Sequence, residues 1–274
     1  MVTQQNTTKV SVKKKGIRRL FWDIETSPNV VFCWRAGYDQ NISHDNILHE
    51  RKIICIGYMW EGDSKAKVLR WDEKQDDKAM LQDFLVVANQ ADELVAHYGD
   101  KFDLPWFRTR CLFHGLEPLP KYKTVDTKYW ASKHFYFNSN KLDYIGSFLG
   151  FGHKLETGFD LWKEVVLRKC RKSLDYMCKY CGRDVELLAK VYEKLRYHVP
   201  SKSHAGVSIG NDKWSCTRCG ETEVVKSKTF WTAAGTVQHQ MKCKCCHGYF
   251  TISETSYDNY LEAMKKKRKG GSCK

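Results

Sequence analysis

"LFWDIETSP", Leu20 to Pro28, begins as an apolar strand and then sets two carboxylates, Asp23 and Glu25, at alternate positions. Residues i and i+2 of a strand point to one side, roughly 6–7 Å apart. Two like charges at that distance repel by about 2.5 kcal/mol at an effective dielectric of ~20. Such a pair belongs either at an exposed strand end or opposite positive charge. The rest of the chain decides between them.

Around this stretch the pattern is mixed α/β. "IRRLFWDIE", "VVFCW", "KIICIGYMW", "AKVLRW" and "ELVAHY" read as strands, and "DDKAMLQDFLVVANQ" has helical spacing at Met80, Leu81, Phe84, Leu85 and Ala88. "DLPWFRTRCLFHG" reads as a helix with Asp103 as N-cap, Pro105 in the first turn and Gly115 at the end. Helices follow to about His198. In the last of them Leu174, Met177, Cys178, Cys181, Val185, Leu188, Tyr192 and Leu195 recur every three or four residues behind a Ser173 cap. The expected organisation is a basic arm over 1–16, an α/β domain over 17–198, a linker over 199–213, a cysteine module over 214–254 and a basic tail over 255–274.

Two further acids stand where the opening pair could use them. "ELVAHYGDKFD" carries a buried strand into a loop ending on Asp103. In "YCGRDVELLAKVYEKL", Tyr180 and Asp184 are i and i+4, so they share one helix face at the edge of the apolar stripe. Gly182 between them costs the helix about 1 kcal/mol relative to Ala, which a close backbone approach would explain. Asp126 in "KTVDTKYW" reads as a helix cap, and Asp143 and Asp160 have no motif around them.

These three segments in order, Asp23-x-Glu25, Phe102-Asp103 and Tyr180-x-x-x-Asp184, resemble the exonuclease motifs of the DEDD superfamily, with the tyrosine spacing of its DEDDy branch. The flanks "FWDIETSP", "VAHYGDKFDLPWF" and "YCGRDVELL" are most similar to stand-alone, often phage-borne relatives of the proofreading exonuclease domain of family B DNA polymerases. The resemblance covers about residues 16–198. It implies an α/β, RNase H-like fold with a mixed sheet flanked by helices. It also implies 3′→5′ hydrolysis of phosphodiester bonds with two Mg²⁺ or Mn²⁺ ions, which suits a set of hard oxygen donors. By resemblance Asp23 bridges both metals, Glu25 and Asp184 complete the site of the attacking water, Asp103 supports the other metal, and the Tyr180 hydroxyl orients the nucleophile. One departure stands out: relatives usually read His-Asn-Gly before the second motif, whereas this chain reads His97-Tyr98-Gly99.

Near the C-terminus "CTRCG" gives Cys216-x2-Cys219 and "CKCC" gives Cys243-x2-Cys246. Paired knuckles of this spacing suit one structural Zn²⁺, and the alternating segment between them suits short strands. The layout resembles a zinc ribbon of the DNA-binding kind. Cys245 is an alternative to Cys246, which the x2 spacing favours; His239 and His247 are further alternatives. Trp214, Phe230, Trp231 and Tyr249 supply either stacking faces or a small core, with at least two of them expected in the core. Cys178-x2-Cys181 lies on an apolar helix stripe and reads as core, and Cys273 as a free thiol.

The chain has 274 residues and a formal net charge of +14. Residues 200–274 hold 13 Lys/Arg and 6 Asp/Glu, a net of +7. This favours a polyanionic partner, nucleic acid first, DNA before RNA given the polymerase-like motifs; replication or recombination proteins are possible protein partners. Twelve cysteines with no apolar leader fit a reducing compartment, so a cytoplasmic place in a bacterial or phage-infected cell is expected, with no secretion. No apolar run long enough to span a membrane occurs. An endonuclease on the same scaffold and an inactive nucleic-acid-binding module are the competing readings. The intact set of acids speaks against the second.

Overall fold

The computed structural model describes residues 16–35, 37, 39–117, 120–153, 155 and 157–270. Apart from Gly16 the expected basic arm lies outside them, as does Cys273. The chain divides into two compact units, Arg18–Arg196 and a second that holds the residues from Tyr197 on.

In the first unit the elements run β1 (Arg19–Thr26), β2 (Val30–Val31), β3 (Ile47–His49), β4 (Ile53–Trp60), β5 (Lys67–Arg70), α1 (Lys78–Ala88), β6 (Glu93–Ala96), α2 (Asp103–Phe113), β7 (Thr124–Asp126), α3 (Thr127–His134), α4 (Leu142–Phe148), α5 (Phe159–Val166) and α6 (Arg171–Leu195). Five strands form one mixed sheet in the order β5-β4-β1-β6-β7. β1 is antiparallel to β4 and parallel to β6, and β6 is parallel to β7. This is the α/β, RNase H-like architecture, a mixed sheet flanked by helices.

β1 is central, and its alternation sorts its side chains between two layers. Leu20, Trp22 and Ile24 enter a core with Leu81 and Phe84 of α1 and Phe107 of α2. Trp22 stacks on Phe84 at 5.1 Å and meets Phe107 edge-on at 6.0 Å. Phe21 points the other way, edge-on to Tyr192 of α6 at 5.2 Å. Asp23 and Glu25 follow Phe21 on that same face, beneath α6. The apolar stripe of α6 fixes this contact: Met177, Cys181, Val185, Leu188 and Tyr192 are buried.

Several local expectations change. "VVFCW" pairs only at Val30–Val31. α6 starts at Arg171 behind Cys170, not at a Ser173 cap. Asp103 is the first residue of α2 rather than its cap, and Phe102 precedes it. Its carboxylate is turned back to the sheet, where Oδ1 accepts from the Ile24 amide at 3.1 Å.

The second unit holds α7 (Ala205–Ser208), β8 (Val224–Trp231), β9 (Val237–Cys243), β10 (Tyr249–Ser253) and α8 (Glu254–Gly270). The strands form an antiparallel sheet in the order β10-β9-β8. Trp214, Val224, Met241, Phe250 and Ile252 make its core. Of the four aromatics considered for that core only Trp214 is buried in it, while Trp231 and Tyr249 are exposed. Residues 199–213, read as a linker, include α7 and bond to the cysteine module: the Ala205 amide donates to the Thr217 carbonyl at 2.8 Å, and Asn211 Nδ2 to the Gly220 carbonyl at 2.9 Å. Residues 255–270, read as a tail, belong to α8. Tyr257, Tyr260, Ala263 and Met264 are spaced for one helix face and pack on the small core, which is why the segment is helical. Among the described residues no helix is long and apolar enough to cross a membrane.

Candidate active site and cysteine cluster

Asp23, Glu25 and Asp184 converge. One carboxylate oxygen from each lies within 4.8 Å of the others. Two come from β1 and one from α6, so the packing of α6 on the sheet builds the cluster. Gly57 of β4 makes that packing close. It lies opposite Asp23, and a Cβ there would meet Cys181 Sγ and Val185 Cγ2 at 3.0 Å and the Cys181 carbonyl at 3.2 Å. The close backbone approach is found at Gly57, while a Cβ at Gly182 would meet side chains, Val68 Cγ2 at 3.2 Å and Ala66 Cβ at 3.8 Å. Cys181 Sγ also donates to the Asp23 carbonyl at 3.5 Å.

Asp103, the first residue of α2, lies outside that trio but within electrostatic reach of Asp23. It is 1 % exposed. Its bond to the Ile24 amide sets it between Asp23 and Glu25 in chain position. Burial first, and then the Asp23 charge, push its carboxyl well above the ordinary range. Tyr180 is half-buried on α6, one turn before Asp184. The donor set is all carboxylate oxygen, the ligand type that hard divalent cations take.

The loop carrying Asp103 is held by a residue that sequence reading treated only as a cap. Asp126 does cap α3, accepting from the Lys128 and Tyr129 amides at 2.9 and 3.1 Å. It also accepts from the Tyr98 amide at 3.0 Å and the Asp100 amide at 3.4 Å. His97 Nε2 donates to the Asn140 carbonyl at 2.9 Å, and its Nδ1 pairs with the Thr127 hydroxyl at 2.9 Å. The only sequence signal for this clamp was the cap pattern "VDTKY". Asp143 and Asp160 stay outside the cluster, facing His153 and Lys163.

In the second unit the sulfurs of Cys216, Cys219, Cys243 and Cys246 all lie within 4.8 Å of one another. Cys216 is 3.6 Å from Cys246 and Cys219 is 3.6 Å from Cys243. The Arg218 amide points at Cys216 Sγ, 3.4 Å away. Four sulfurs so placed suit a tetrahedral Zn²⁺. Burial and the neighbouring Cys216 push the Cys246 thiol up. Cys245 is exposed and outside the set. His239 is engaged elsewhere, with Thr229 and Glu254 at 3.0 Å each.

A mixed five-stranded sheet with acids gathered at its central strand and on a crossing helix defines a nuclease-type RNase H-like domain. Residues 42–196 match the RNase_H_2 model of the RNase_H superfamily, and the chain belongs to that superfamily. Asp103, Tyr180 and Asp184 fall within the matched span; Asp23 and Glu25 precede it. Among solved structures, the family B DNA polymerase from the hyperthermophilic archaeon Pyrobaculum calidifontis is similar at 14% identity and a TM-score of 0.46. The alignment covers 67% of this chain and 26% of the polymerase chain, so the chain spans about a quarter of that protein's length. No curated protein sequence matches the chain.

Proposed function

We propose that the protein is a metal-dependent 3′→5′ exonuclease of the DEDDy type, acting on single-stranded DNA or DNA ends, with a zinc ribbon that adds nucleic-acid affinity. The observation that carries this reading is the convergence of Asp23, Glu25 and Asp184 from two elements on oxygens within 4.8 Å. These three, with Asp103 beside them, would hold two Mg²⁺ or Mn²⁺ ions. When bound, such ions supply an activated water and stabilisation of the leaving 3′ oxygen.

The chain's own groups do the positioning. The Ile24 amide anchors Asp103 against β1. Asp126 and His97 hold the loop from which Asp103 projects. The hydroxyl of Tyr180 orients the attacking water; with a reference pKa near ~10 such a group is a poor general base at neutral pH. Cys216, Cys219, Cys243 and Cys246 hold one structural Zn²⁺, which contributes folding free energy to a small core.

The test is digestion of one single-stranded sequence in linear and closed circular form, with Mg²⁺. An exonuclease degrades only the linear form. Cleavage of the circle would replace this reading with an endonuclease on the same scaffold.

A further inference from the structure

Tyr98 stands where a large side chain is costly. Its φ is +75°, in the left-handed region that Gly and Asn enter readily and a bulky residue does not. The backbone is nonetheless fixed there. The Tyr98 amide donates to Asp126 Oδ1, and the Tyr98 carbonyl accepts from the Phe102 amide at 2.9 Å and the Lys101 amide at 3.2 Å. The ring itself is 39 % exposed, and Lys128 Nζ sits 3.7 Å from its centroid. An exposed cation–π contact returns less than such backbone strain costs, so stability does not account for a tyrosine at this position.

The placement is built. One carboxylate of Asp126, 4 % exposed, accepts from the amides of both Tyr98 and Lys128, and so holds the ring and its cation together. The next residue, Gly99, abuts the acid site: a Cβ there would lie 3.8 Å from Asp103 Oδ2. An exposed aromatic residue with a lysine against its ring thus stands one residue before the glycine that abuts Asp103.

We propose that Tyr98 is a substrate-binding residue that stacks on a nucleobase of the single strand entering the site, with Lys128 drawing the adjoining phosphate. Every base offers a π-face, so the contact is tolerant of sequence, and the phosphate contact adds a salt-dependent increment. This inference rests on the nuclease reading above and deepens it. It assigns to this chain a stacking contact at the left-handed position just before Gly99.

The test compares Tyr98→Asn, Tyr98→Gly and Tyr98→Phe in the full chain. Binding of a fluorescein-labelled single-stranded 12-mer is read by anisotropy in EDTA, alongside KM and kcat in Mg²⁺ and the melting temperature. Asn and Gly relieve the left-handed strain, so both melt at least about 2 °C higher than wild type. Both bind the 12-mer about 5- to 150-fold more weakly and raise KM more than they lower kcat. Tyr98→Phe keeps the ring and recovers binding to within about twofold of wild type. Asn and Gly variants that bind as tightly as the Phe variant would overturn the stacking role while leaving the nuclease reading intact. A wild type that binds the 12-mer without cleaving it would overturn the nuclease reading, and the anisotropy series would still judge Tyr98. A wild type that does not bind it at all would overturn both.

Discussion

Asp23 and Asp184 belong to different elements and are distant in sequence, yet their oxygens meet beside that of Glu25. Acids so close repel one another, by about 1–4 kcal/mol per pair at effective dielectrics between those of water and a protein surface. Asp23→Ala or Asp184→Ala should therefore lower turnover at least about a thousandfold while leaving the metal-free protein no less stable. Paired activity assays and metal-free thermal melts check this. Tyr180→Phe removes a hydroxyl but no metal ligand, so single-turnover cleavage at saturating Mg²⁺ should fall by about ten- to a thousandfold, short of the Asp184→Ala loss. The shared faces were legible, because Asp-x-Glu at strand period and Tyr-x-x-x-Asp at helix period each bring two side chains together, but that the two pairs meet was expected only from the family resemblance. Asp103 was half legible. A short acid before a helix suits both an N-cap and a ligand, and only the fold shows its carboxylate turned to the Ile24 amide. The roles of Asp126 and Gly57 were not legible, because each depends on what another element brings against it.

At the scale of elements, the site depends on how closely α6 crosses the sheet. Gly57→Ala would set a methyl against Cys181 and Val185 at 3.0 Å and against the α6 backbone at 3.2 Å. Overpacking of this kind costs about 1–3 kcal/mol. The variant should melt lower and lose activity beyond its loss of stability, since Asp184 rides on the displaced helix; activity measured well below the melting temperature separates the two effects. On the opposite face α1 and α2 are joined by a buried ion pair. Asp77 takes two bonds from Arg110 at 2.8 Å, one from the Ile53 amide at 3.0 Å and one from His114 at 2.6 Å. Burial alone would raise the Asp77 carboxyl; the Arg110 and His114 bonds and the Ile53 amide outweigh it and hold it below its ordinary value. The folded value therefore lies below an unfolded value of about 3.9, so this stabilisation is complete above about pH 4 and is lost as pH falls through the folded value. Asp77→Asn should be less stable than wild type by about 3–5 kcal/mol at pH 7, with the gap closing below about pH 4, as denaturant titrations at pH 7 and pH 3 would show. β1 and β4 were legible as long apolar runs, and α6 because its apolar residues recur every three or four positions. β7, α7 and α8 were not: two are short, and the charges of α8 masked the apolar face that packs on the small core.

Across the whole molecule, the +14 charge is shared between an α/β domain of the RNase_H superfamily and a smaller unit built round four cysteines. If those cysteines hold structural zinc, elemental analysis of the full chain gives one equivalent, and the double substitution Cys216→Ser with Cys246→Ser gives none. Loss of each phosphate contact reduces the slope of log K against log salt by about 0.7 on a single strand. The double variant should therefore bind long single strands more weakly and with a shallower slope than wild type. An unchanged slope would remove the cysteine unit from the binding surface. One time course reads direction and metal dependence together. With single-stranded DNA labelled at its 5′ end, Mg²⁺ should yield a ladder that shortens one nucleotide at a time from the 3′ end, and EDTA should abolish it. Immediate release of the labelled terminal nucleotide, or an undiminished ladder in EDTA, would rule out a metal-dependent 3′→5′ exonuclease.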